Sequence, residues 1–192
     1  MQSAKFISRK KLFVFFILLL AAYCSPLTAS AQKLDNMTDG EDALIRDAEA
    51  MDGRMDIYVH IVDRRLLALS DPNAEQSKQA QKDLENYGKL RTSSRFKLLS
   101  DIEKTIAEAI GKIDDVAERD QKNPLFPKSV RILSKACERW LPQLKSLQEQ
   151  ATDDAESAAI VNSIEECREV IEASAKVPKE NPKEDKKKKK NE

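Results

Sequence analysis

The sequence predicts an all-α protein, an antiparallel up-down bundle of four long helices and one shorter one. Three observations lead there. Apolar residues recur at three- and four-residue steps in successive segments, as on the buried face of a helix. Glycine is scarce, with four in 192 residues, and 34% of the chain is charged. Alternating β-branched or aromatic runs bounded by turn residues are missing, which disfavours a sheet.

The first 31 residues set the address. Lys5, Arg9, Lys10 and Lys11 form a basic start, residues 12–22 are an apolar run, and Ala29-Ser30-Ala31 is a small-x-small cleavage signature. That order predicts a secretory signal peptide cut near Ala31, and hence a secreted or periplasmic protein. The run is short for a bilayer span, which takes about 20 apolar residues, so a retained anchor is the lesser reading. Leu20-Ala21-Ala22-Tyr23-Cys24 approaches a lipidation signal, but Tyr23 is bulky where a small residue is needed. Residues 32–40 are polar and aperiodic and are expected to be a flexible lead-in. Within them, Asn36-Met37-Thr38 matches an N-glycosylation acceptor.

The bundle is expected over residues 41–177. The first helix, about 41–69, opens at Asp39 as N-cap and carries Leu44, Ala48, Met51, Met55, Tyr58, Val62 and Leu66 as one stripe, widened by Ile57 and Ile61. Pro72 ends it, because it disfavours helical geometry at Asp71. The second, about 74–87, is weaker, with Ala80, Leu84 and Tyr87 on its face and Gly88 as C-cap. The third, about 95–120, places Leu99, Ile102, Ile106, Ala109, Ile113 and Val116 on a heptad seam. Pro124 and Pro127 make a rigid turn before the fourth, about 128–150, with seam Val130, Leu133, Cys137, Trp140, Leu144 and Leu147 and an internal Pro142. The fifth, about 153–176, carries Ile160, Ile164, Cys167, Ile171 and Ser174. Short connections make successive helices antiparallel.

Charge divides the chain. Cleavage removes four positive charges, leaving 29 basic against 33 acidic residues. Residues 178–192 hold seven lysines and four acids, so the body from 32 to 177 has 22 against 29, a net −7. An acidic body argues against nucleic acid as ligand. The tail, with Lys186, Lys187, Lys188, Lys189 and Lys190 in succession, cannot bury a core and is expected to be disordered. It would suit tethering to an anionic membrane or envelope polymer. A solubilising tail is the plainer reading.

Cys137 and Cys167 lie on adjoining seams and are symmetric about residue 152, where the connecting turn falls. In an antiparallel hairpin they sit level, and in an exported protein that predicts a disulfide.

Few residues carry candidate chemistry. His60 is the only histidine. With Asp56 and Asp63 at helical spacing it could hold a divalent ion, although acids on a solvated helix face, with Arg64 and Arg65 beside them, more often form salt bridges. Covalent haem needs Cys-x-x-Cys-His, which is missing, and Met51 and Met55 lie on the buried stripe. One histidine cannot supply a di-iron bundle site. The sequence has no glycine-rich phosphate loop and no nucleophile elbow. Glu165-Glu166 and Asp114-Asp115 are adjacent on helices and diverge. Trp140 is expected in the core beside Pro142, with a groove anchor as the functional alternative. The chain therefore reads as a non-enzymatic interaction or structural module without a cofactor, acting on an unknown protein partner. A small-ligand or metal-binding bundle around His60 is the alternative from another class. Self-association is a further one, since heptad seams also join chains.

Overall fold

The fold is known from a computed structural model that describes residues 36–120 and 122–178. The expected signal peptide, residues 32–35 of the lead-in and the lysine tail from residue 179 lie outside the described residues. Within them the structure is all-helical: α1 (Asp39–Asp47), α2 (Met51–Ser70), a 3₁₀ turn (Ala74–Gln76), α3 (Lys78–Tyr87), α4 (Arg95–Arg119), α5 (Leu125–Glu149) and α6 (Asp154–Lys176). None of these helices is long and apolar enough to cross a membrane.

The first expected helix is two. The chain leaves helical geometry at Ala48, with ψ 112°, and re-enters after Ala50, while Arg54 Nε donates to the Ala48 carbonyl at 2.8 Å across the break. Nor is Asp39 the N-cap of α1. Thr38 is the N-cap, its hydroxyl accepting from the Glu41 amide at 3.2 Å while the Glu41 carboxylate accepts from the Thr38 amide at 2.9 Å. This reciprocal capping box satisfies two otherwise orphaned donors. The lead-in is thus ordered from Asn36, which is fully buried and donates to Thr105 Oγ1 at 3.2 Å. An asparagine held this way is closed to a glycosyltransferase in the folded protein.

Interatomic contacts fix the helix directions. Tyr58 meets Glu108 and Arg65 meets Asp101, so α4 runs antiparallel to α2. Asp52 meets Lys128 and Asp63 meets Arg139, so α5 runs parallel to α2. Ser134 bonds Ser174 and Cys137 bonds Cys167, so α6 runs antiparallel to α5, and Arg95 pairs with Glu156 and Glu103 with Asn162, so it runs parallel to α4. α2 packs on both α4 and α5, and α6 packs on both as well, while α4 and α5 touch far less. The four long helices therefore form a ring in the order α2, α4, α6, α5, and the α4–α5 connection crosses its diagonal.

The seams fill this ring. Met55, Ile61, Ile102, Ile106, Cys137, Trp140, Leu144, Ile160 and Cys167 are inaccessible to solvent. Register drifts at three places. On α1, Ile45 is buried where Leu44 was expected. On α6, Val170 is buried where Ile171 was expected, and on α3 Leu84 is 51% exposed while Asp83 turns inward. Pro142 sits within α5, which continues to Glu149.

Candidate functional site

The residues proposed as metal ligands do not converge. His60 turns toward α3, where its Nε2 lies 2.9 Å from Asp83 Oδ2 and its ring 4.3 Å from that of Tyr87. Asp63 turns toward α5 instead, accepting from Trp140 Nε1 at 2.6 Å and pairing with Arg139 at 3.1 Å. Asp56 joins neither, and burial pushes its carboxyl pKa upward against the pull of Lys128. No metal-ligating group of three or more side chains is found among the described residues. Trp140 is fully buried and anchors α5 to α2 through that indole bond, as a core residue.

The expected disulfide between Cys137 and Cys167 is not formed. Both are free thiols, both fully buried, and they are hydrogen-bonded to each other. That hydrogen bond, followed by burial, drives the Cys137 thiol pKa well above its usual value. The level placement deduced from the hairpin is correct.

Arg64 and Arg65 are not surface partners of His60. Both are buried, and both reach Glu41. Arg65 grips its carboxylate with two bonds, at 2.6 and 2.9 Å. Arg64 donates to the Tyr87 and Gly88 carbonyls at 3.0 and 2.8 Å and so closes the C-terminus of α3. Burial alone would raise the Glu41 pKa; the bonds from Arg65 and the Thr38 amide, with the charges of Arg65 and Arg64, bring it below the ordinary carboxylate value. Asp101, buried between Lys97 at 3.0 Å, Arg91 at 3.3 Å and Arg65 at 4.0 Å, moves the other way, because its desolvation outweighs those cations. The network clamps α1 and α3 onto the ring.

What lies open is a cleft of about 570 Å³ where the C-terminal ends of α4 and α6 meet the start of α5. Ile113, Val130 and Val170 form its buried floor, with Ile110 and Phe126 half-buried on its walls. Asp114 on α4 and Glu169 and Glu172 on α6 stand on the rim. Lys176 is the cation among the lining residues and is already bonded to Glu172 at 2.8 Å. One turn further in, Glu166 is half-buried, and burial together with Glu103 and Glu169 pushes its pKa up to about 7. Two smaller dents lie elsewhere, about 290 Å³ beside His60 and about 430 Å³ beside Pro142.

Sequence reasoning passed over this cleft. Its signal was the acidic series Glu166, Glu169, Glu172 beside a seam that loses its apolar character at Ser174. Comparison with family models, characterised proteins and solved structures gives no match to the chain.

Proposed function

We propose that this protein is an exported, non-enzymatic helical-bundle module that binds a protein partner through an exposed helix face. The observation that carries this reading is the cleft between α4 and α6, an apolar floor left uncovered at one end of the bundle. Desolvating such a floor is a favourable source of association energy, about 25 cal/mol per Å² of apolar surface. Leu84 and Phe96, 51% and 45% exposed, offer further apolar contact on other faces. Export rests on the basic, apolar and small-residue order of residues 1–31, and surface tethering rests on Lys186–Lys190. The His60 face is the weaker choice for a ligand, since its histidine and Asp63 are turned to structural partners.

Site-specific photo-cross-linking in the producing cell tests the reading. A photoreactive phenylalanine analogue is placed at position 84, 96 or 173 in turn, and a discrete adduct from at least one position is expected. Adducts from none would overturn it. The intact mass of the exported chain tests cleavage, with a chain beginning at Gln32 expected. Binding to anionic vesicles that survives deletion of Lys186–Lys190 would remove the tether from the proposal.

A further inference from the structure

The cleft has a chemical character that narrows what can fill it. α4 and α6 run parallel, so both present their C-terminal ends at this end of the bundle. Each carries about half a negative charge there from its aligned peptide dipoles, offset in part by the positive N-terminal end of α5 at Phe126, so the sign of the rim is set by its side chains. Asp114, Glu169 and Glu172 add three carboxylates against the single ammonium of Lys176. The rim is therefore negative on both sides of an apolar floor. The acidic side chains also extend beyond the cavity: Glu166, only partly ionised near neutral pH, Glu169 and Glu172 follow at three-residue steps, a rise of about 9 Å along α6. A lone cationic head group would answer one of them. A segment with repeated basic residues answers the series.

Resting on the interaction-module reading, we propose that the α4–α6 cleft receives a basic amphipathic helix of a partner protein, apolar side chains on the floor and lysines or arginines against the two acidic walls. Helix-in-groove recognition supplies such a match, with apolar anchors at three- and four-residue spacing. The chain's own tail is the poorer occupant. It leaves α6 at Val177, on the cleft wall, yet residues 178–192 contain no leucine, isoleucine, valine, methionine or aromatic residue to fill the floor.

The test uses the mature chain, residues 32–192, and a fluorescent synthetic peptide of about fourteen residues with leucines at helical spacing flanked by lysines. Its counterpart carries glutamates in place of the lysines. The lysine peptide is expected to bind, with affinity falling as salt rises, and the glutamate peptide is not. Ala173→Trp, which fills the cleft from an exposed position, should weaken binding about tenfold, the scale of a hot-spot contact. The pair Glu169→Gln and Glu172→Gln should weaken it about as much. Glu85→Gln with Glu149→Gln removes the same charge from other faces and should leave affinity within about twofold. All five side chains are exposed, and a thermal melt of each variant verifies its fold. Absence of peptide binding, an unchanged affinity in Ala173→Trp, or equal losses in both double variants would overturn the proposal. In that event, cross-links from position 84 or 96 would leave the interaction-module reading standing with a different face.

Discussion

Glu166 shows how one side chain can make stability depend on pH. Its folded pKa of about 7 lies above the ordinary 4.5, so the folded chain holds this proton more tightly than the unfolded one. Ionising it therefore penalises the fold, and its stabilising contribution is lost as pH rises from about 4.5 through 7. Glu166→Gln should be indistinguishable from the native chain in urea melts at pH 5. At pH 8 it should be more stable by about 1 kcal/mol, after discounting for a half-exposed group. Glu41 has the opposite sign. Its pKa is lowered, so its contribution is present above the ordinary carboxylate value and is lost as pH falls below it. Glu41→Ala leaves two buried guanidinium groups without their carboxylate and should cost about 3–5 kcal/mol at pH 7 by denaturant midpoint. The charge types were legible in the sequence. The burial of Arg64 and Arg65 was not, because consecutive arginines read as solvated until a third element covers them.

Among the elements, long periodic segments were read most closely. α4 was expected at 95–120 and spans Arg95–Arg119, and all six expected seam residues of α5 are buried. Dense apolar periodicity dictates these, because each helix has only one stripe to bury. The errors fall where periodicity is weak. The break at residues 48–50 contains no proline or glycine. At the break Arg54 Nε donates to the Ala48 carbonyl, while the Glu41–Arg65 bond, 24 residues apart in sequence, holds α1 against α2. The capping box Thr38-x-x-Glu41 was nonetheless visible in the sequence and marks the start of α1 better than Asp39 does. Gly88 was placed correctly as a C-cap. Its φ of +70° is strained for any side chain, although a Cβ there would meet nothing within 4 Å. Gly88→Ala should therefore destabilise α3 through backbone strain alone, by about 1 kcal/mol in a thermal or urea melt.

For the molecule as a whole, the N-terminal segment is a structural clamp. A chain starting at residue 51 lacks Asn36, Met37, Glu41 and Ile45, all buried against the ring. It should melt with a lower urea midpoint than Glu41→Ala, because it loses apolar burial in addition to the ion pair. Equal midpoints would mean that the carboxylate alone holds α1. By itself, the sequence determined the helical class, most of the buried seams and the level placement of Cys137 and Cys167, because these depend on local order and periodicity. Only the tertiary structure decided which helices are neighbours, that α4 and α5 cross the ring diagonal, that His60 and Asp63 face different elements, and that the thiols stop short of a bond. It also decided where the ring stays open. Each of these depends on distances between segments far apart in the chain, and periodicity fixes which face of a helix is buried without fixing what it is buried against.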